Sequence, residues 1–170
     1  AEAAVADLRE VMAERGVTAI SVRAMENLAA AEAAAIVTLT VPFSHQAATL
    51  ERVKPALQGK IQIDVTVPLV PPKVARVQLP AQGSAGQIAQ ELLGDGVDVV
   101  SAFQNVAAVH LQEGHGLTCD VLVTGNKKAA RDEVVKLVEA AGMRGLHAGM
   151  INNAAAAEAL TSVLITINKQ

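Results

Sequence analysis

Apolar positions along the chain follow two alternating rhythms, one helical and one extended. Val5, Leu8, Val11 and Met12 recur at helical spacing among Glu, Asp and Arg, and Gly16 stands where a glycine closes a helix, so residues 1–15 read as a surface helix. Val17 to Val22 form a short run of β-type residues. An alanine-rich helix from Met25 to Ala34 then leads into Ala35 to Val41, a β-branched, apolar run of the kind found in strands covered on both faces of a parallel sheet. Pro42 stops that run. A helix from about Ser44 to Leu57, a turn at Gln58-Gly59-Lys60 and a second apolar run from Ile61 to Val67, ended by Pro68, complete a strand–helix–strand alternation. That alternation predicts an α/β fold with a doubly wound, mainly parallel sheet.

Four of the six prolines lie between Pro68 and Pro80, which predicts an extended loop there. Gln82-Gly-Ser-Ala-Gly86 opens a helix to about Leu93, and Val97 to Phe103 and Cys119 to Thr124 read as further strands. Asn126 is placed to cap a helix running to about Ala141, and Leu146 to Ala148 belong to a short strand. The final helix, roughly Asn152 to Ile167, carries an apolar stripe through Leu160, Val163, Leu164 and Ile167, read as core, with a dimer contact as the alternative. At its other end the chain starts on Ala-Glu-Ala-Ala, with no initiating Met and no capping side chain, and so reads as one cut into a longer domain.

Composition narrows the function classes. A hydrophobic share of 51% with a mean hydropathy of +0.33 excludes disorder through polarity. Phe43 and Phe103 are the two aromatic residues, too few for a platform that stacks bases, and 14 basic against 17 acidic side chains give a net charge of -3 without any basic block. Nucleic acid is therefore not an expected partner. No apolar stretch approaches the ~18 residues of a membrane span, and the single cysteine, Cys119, has no partner in the chain for a disulfide. The expectation is a cytoplasmic protein without a membrane partner.

The chemistry is less openly declared. The glycine string G-x-G-x-x-G, which lets a backbone approach a pyrophosphate, does not occur; Gly94-Asp-Gly96 and Gly114-His-Gly116 lack the third glycine and precede strands. His110, His115, Cys119 and Asp120 match no standard zinc spacing, and no metal is expected. Cys119, at the mouth of an apolar strand, reads as an inert thiol. Gly83-Ser-Ala-Gly86 at a helix start reads equally as an anion site and as simple capping. Lys127, Lys128 and Arg131 read as the solvated face of a helix. Two strand ends stand out, Leu39-Thr-Val-Pro-Phe-Ser-His45 and Asp64-Val-Thr-Val-Pro-Leu-Val-Pro-Pro72. Ligands of open α/β sheets bind outside such ends, where Thr40, Thr66 and His45 would face one crevice. The alternative is that Thr-Val-Pro is strand vocabulary and His45 a surface residue.

Five separated strings carry a resemblance: Thr40-Val-Pro-Phe-Ser-His45, Asp64-Val-Thr-Val-Pro-Leu-Val-Pro-Pro72, Leu79-Pro-Ala-Gln-Gly-Ser-Ala85, Val99-Val-Ser-Ala-Phe-Gln-Asn-Val106 and Cys119-Asp-Val-Leu-Val-Thr-Gly125. In order and spacing they resemble the NADPH-dependent coenzyme F420 reductases over nearly the whole chain, and more weakly the pyrroline-carboxylate reductases. The resemblance implies a Rossmann-like domain over residues 1–108, N-terminally incomplete, with a small α/β part over 109–170 packed on it and closing a crevice. It implies hydride transfer between NADP and the deazaflavin coenzyme F420, and a homodimer. Carried over by motif, Thr40, Val41, Pro42 and His45 line the NADP side, Val70 lies in the proline loop near it, and Ala108 stands at the nicotinamide end. Ser101, Ala102, Phe103, Gln104 and Asn105 face the deazaflavin. No catalytic acid or base is assigned, because the cofactors carry the chemistry.

One departure matters. The family's glycine-rich first turn, and the Ser-Arg pair after its second strand, do not occur here. Without that first strand–helix–strand unit, the strand ending at Val41 is expected to lack a sheet neighbour. Two other readings stay open: a non-catalytic remnant or interaction module that keeps the scaffold, and an NADP-dependent reductase of a small imine or carbonyl compound.

Overall fold

The structure, a computed structural model, describes residues 2–17, 21–113 and 118–169. Helices α1 (Glu2–Glu14) and α2 (Asn27–Ala33) precede strand β1 (Ile36–Leu39), followed by α3 (Phe43–Leu57), β2 (Ile61–Asp64), α4 (Ala85–Leu93) and β3 (Asp98–Ser101). A short α5 (Ala108–Glu113), β4 (Asp120–Gly125), α6 (Lys128–Ala140), β5 (Arg144–His147), a 3-10 turn at Ile151–Asn153 and α7 (Ala154–Ile167) complete the order.

The strands lie side by side in chain order, with β1, β2 and β3 parallel, β4 antiparallel to β3, and β5 parallel to β4. The expected α/β, mainly parallel Rossmann-like sheet is present. Side chains alternate across it because successive strand residues point to opposite faces. On one face Leu39 and Val99 pack with Leu50, Val53 and Leu57 of α3, Ala89 and Leu93 of α4, and Ile151. On the other, Ile63, Val100, Val121 and Val123 pack with Ala130, Val134 and Val138 of α6. Among the described residues β1 has one sheet neighbour, β2, as expected for the strand ending at Val41.

Several expectations need correction. Val17, Ser21 and Val22 lie outside any strand, while 18–20 fall outside the described residues. The strand foreseen to Val67 ends at Asp64, because the carboxylate of Asp64 takes the backbone N–H and hydroxyl of Thr66 and turns the chain back on itself. Asn126 does not cap α6; its Oδ1 accepts from the N–H of Ile151. The stripe read as core on α7 is largely outside: Leu160, Val163 and Ile167 are exposed, and the buried positions are Ala154, Ala157, Glu158 and Ser162. Small residues let α7 approach the rest of the fold closely, and Glu158 enters with them.

Candidate functional site

Because β4 and β5 run opposite to the first three strands, their amino ends share one rim of the sheet with the carboxyl ends of β1–β3. Three chain segments leave β1–β3 at that rim. The first, after β1, is open: Thr40, Pro42 and His45 are exposed and Val41 is half-buried. Thr40 and Val41 line a groove of about 310 Å³ along the β1 edge, with Ala30, Ala31 and Val37. Helix α3 starts there without a side-chain cap and without an acidic residue in its first turn. Its unpaired N–H groups therefore present positive potential to solvent.

The second segment, after β2, is closed. The hydroxyl of Thr66 donates to Oδ1 of Asp64 at 2.6 Å, and Nε2 of Gln46 donates to Oδ2 of Asp64 at 2.8 Å and to the carbonyl of Ala85 at 2.9 Å. Both Asp64 and Thr66 are buried, so the expected crevice-facing hydroxyl of Thr66 is turned inward instead. Burial raises the carboxyl of Asp64 above its ordinary value, opposed by the hydrogen bonds from Thr66 and Gln46. Val70 follows in the proline loop, exposed.

The third segment, after β3, joins the interior to a wide cleft. Ser101 and Ala102 are buried, and Phe103, half-buried against the α6 face, has φ 69, a left-handed conformation that costs a bulky residue roughly 1–2 kcal/mol. The segment tolerates this strain because it is held on both sides. Nε2 of Gln104 donates to the carbonyl of Asp64 at 3.0 Å and to Oγ of Ser101 at 2.7 Å, and Oγ1 of Thr161 donates to the carbonyl of Gln104 at 3.1 Å. Nδ2 of Asn105 donates to the carbonyl of Asp120 at 2.9 Å. Gln104 and Asn105 lie on the wall of a cleft of about 1240 Å³, with Met143, Leu160, Thr161 and Leu164. That volume exceeds the few hundred Å³ needed for a drug-sized ligand. Ala108 is exposed at the start of α5.

The sequence-derived residues thus occupy two places on one rim: Thr40, Val41, Pro42 and His45 at the β1 tip, Gln104 and Asn105 at the cleft. Ser101 and Ala102 lie beneath the surface and act only through their neighbours. Cys119 is half-buried, and burial with the nearby Asp120 charge pushes its thiol up, as an inert thiol requires. Asp120 pairs with Arg144, and His115 lies outside the described residues. At Gly83-Ser-Ala-Gly86 capping prevails: Oγ of Ser84 accepts from the N–H of Gln87 at 3.0 Å. The N–H groups of Ala85 and Gly86 donate to the carboxylate of Glu158 at 2.6 and 3.0 Å. An anion from solution finds that position taken.

Sequence reasoning missed Gln46, Glu158 and Thr161. Glu158 had a signal: it is the one charged residue in the stretch Ala154–Ile167, otherwise alanine and aliphatic with three hydroxyl side chains. Nothing in the sequence paired it with residues more than seventy positions earlier.

Comparison with known proteins adds an independent line. A family model described as NADP oxidoreductase, coenzyme F420-dependent, matches residues 2–68. An F420-dependent NADP reductase of Methanocaldococcus jannaschii is 33% identical over 99% of this chain and 77% of its own length. One from Methanothermobacter marburgensis is 36% identical over 99% of this chain and 78% of its own. Among solved structures, one from Arthrobacter sp. FB24, described as a candidate F420-dependent NADP reductase, superposes with a TM-score of 0.73 at 25% identity, covering 84% of this chain and 67% of that one. An imine reductase from Myxococcus stipitatus in complex with NADP+ shares the fold, with a TM-score of 0.57 at 15% identity over 88% of this chain and 48% of its own.

Proposed function

The chain belongs to the family of coenzyme F420-dependent NADP oxidoreductases, and from that premise we propose that the rim of its sheet brings NADP(H) and the deazaflavin together for hydride transfer. It is an oxidoreductase of NADP and coenzyme F420. When bound, the nicotinamide and the deazaflavin supply a hydride donor and its acceptor. The protein's part is to hold, orient and keep dry.

The residues present fit this division of labour. On the NADP side, the uncapped start of α3 offers N–H groups and no competing carboxylate, as a phosphate-bearing ligand requires. Thr40, Val41, Pro42 and His45 surround that start, and Val70 extends from the neighbouring loop. On the deazaflavin side, Leu160, Leu164 and Met143 give the cleft an apolar wall for a fused ring, while Gln104 and Asn105 supply the polar contacts that fix its orientation. Ala108, exposed beside the cleft segment, is assigned to the nicotinamide end. In this reading residues 1–108 carry NADP, and residues 109–170 close the deazaflavin crevice. A cytoplasmic homodimer completes it, with Val163 and Ile167, exposed by 44% and 56%, as apolar positions for a second copy to cover.

The observation that carries the proposal is the position of the cleft: it opens at the carboxyl end of β3, where ligands of such sheets bind, and its wall includes Gln104 and Asn105. Mixing the chain with NADPH and F420 tests it through the deazaflavin absorbance, which should change with saturation in both compounds. Leu160→Arg, which puts a charge into the apolar wall, should weaken the F420 response at least about tenfold and leave NADPH binding within about twofold. NADPH oxidation by an imine or small carbonyl compound without a deazaflavin response overturns the proposal.

A further inference from the structure

We infer that Gln46 and Glu158 are positioning residues for hydride transfer: they grip Ala85 from two directions and so set the spacing between the β1 tip and the cleft. Their role rests on the reading of the tip as the NADP side and the cleft as the deazaflavin side. Each residue belongs to a helix that builds one of the two places. Gln46 follows His45 in the first turn of α3, and Glu158 stands on α7 two residues before Leu160 and three before Thr161, both on the cleft wall. Each is 1% exposed, so each acts through a neighbour.

That neighbour is shared. Nε2 of Gln46 donates to the carbonyl of Ala85 at 2.9 Å, while the carboxylate of Glu158 accepts from the N–H of Ala85 at 2.6 Å and from that of Gly86 at 3.0 Å. Ala85 opens α4, and α4 packs against both α3 and α7. The bonds to the carboxylate are charge-assisted, the stronger kind. Little slack remains around them, because a Cβ at Gly86 would meet the Cβ of Ser101 at 3.0 Å and that of Ala154 at 3.4 Å. The end of β3 and the start of α7 thus close on the same turn, and packing this dense transmits a displacement. Thr161, on α7, also holds the carbonyl of Gln104. The cleft wall therefore follows α7.

Spacing is what this reaction asks of the protein. A hydride passes from NADPH to the deazaflavin, which takes a proton from solvent, and NADP+ is left. Its rate depends on donor and acceptor carbons meeting at roughly 3–3.5 Å, and a misplacement of about 1 Å costs on the order of 100-fold. A joint loosened by a few tenths of an ångström therefore slows the step by about five- to tenfold. Each cofactor is still held by its own residues.

Two variants test this: Glu158→Gln, which turns one acceptor oxygen into a donor, and Gln46→Met, which removes the amide at similar volume. Both are compared with the wild type at about pH 8.5, above the value of about 7 to which burial raises Glu158. Without cofactors, hydrogen exchange at the N–H groups of Ala85 and Gly86 should be at least about tenfold faster in both variants, although Gln46 bonds to neither. In single turnovers at saturating NADPH and F420, deazaflavin reduction should slow about five- to tenfold in each variant, and no further when the two are combined. Dissociation constants for NADPH and F420, read by fluorescence, should stay within about twofold. A saturated rate equal to the wild type's, with only stability in urea reduced, overturns the inference. So does weaker F420 binding at an unchanged saturated rate, which confines Glu158 to the cleft, and so does faster exchange in Glu158→Gln alone. If the wild type itself reduces no F420, the reading of the cleft falls and the inference with it.

Discussion

The same tripeptide, Thr-Val-Pro, stands at the end of two adjacent strands and meets opposite fates. Thr40-Val41-Pro42 after β1 faces solvent, whereas Thr66 after β2 is buried and Pro68 with it. The tripeptide alone does not decide. Asp64 does, because a carboxylate two residues before Thr66 offers acceptors to its N–H and hydroxyl, and Leu39 and Thr38 in the first tip offer none of comparable reach. Gln46, one residue beyond His45 on α3, then crosses from the first tip to the second and seals it. A rim that looks twofold in sequence is one open mouth beside one plug, and the plug supports the third segment through the carbonyl that holds Gln104.

Removing the plug should therefore give the largest effect. Asp64→Ala strips acceptors from the Thr66 N–H and hydroxyl and from one Gln46 amide hydrogen, leaving buried donors unpaired at a cost of about 3 kcal/mol. Thr40→Ala at the exposed tip should stay within about 0.5 kcal/mol. Urea unfolding of the two variants compares them directly. Equal losses would mean that the two tips are not energetically distinct.

That contrast also marks where the sequence could be read. The order of elements, the mainly parallel sheet and the proline stops were visible because hydrophobic period and turn residues act locally. The strand ends were not. Asp64 reads as a polar residue inside a strand run, and its partners Thr66 and Gln46, with the Ala85 carbonyl that Gln46 also reaches, come from segments that only the fold brings together. The final helix misled for a related reason. Leu160, Val163 and Ile167 form the more hydrophobic stripe, yet the closely packed face is the one of small side chains around Glu158, because close packing of backbones favours alanine over leucine. Gln104 and Asn105 were singled out through their motif, and the hydrogen bond from Thr161 to the carbonyl of Gln104 was not.

Acidity sharpens the comparison next, since the plug and the bridge behind it titrate and the open tip carries no carboxylate. Folding raises Asp64, and raises Glu158 from 4.5 to about 7, so the folded chain holds a proton there that the unfolded chain has already released. The contribution of Glu158 to stability is full below about 4.5 and is lost as pH rises through about 7, on the order of 2–3 kcal/mol. Asp120 and Asp132, lowered by Arg144 and Lys128, act in the opposite sense and only below their ordinary values, so the window from 4.5 to 7 belongs to Glu158. Glu158→Gln should flatten that slope in unfolding measured against pH. An undiminished slope would show that the proton is held elsewhere.

The smallest expected effect lies one step down β2 and has the opposite sign. Gln62 shares the Asp64 face of the strand and is fully buried, yet neither its Nε2 nor its Oε1 has a partner, while every neighbouring polar group of the plug has at least one. An unpaired buried amide costs more than it contributes, and leucine fills nearly the same space without a polar atom. Gln62→Leu should therefore stabilise the chain by about 1–2 kcal/mol in urea unfolding and leave F420 and NADPH binding unchanged. Destabilisation would mean that the amide is satisfied in solution, and that the polar cluster extends from the plug down the strand into the space between α3 and α4.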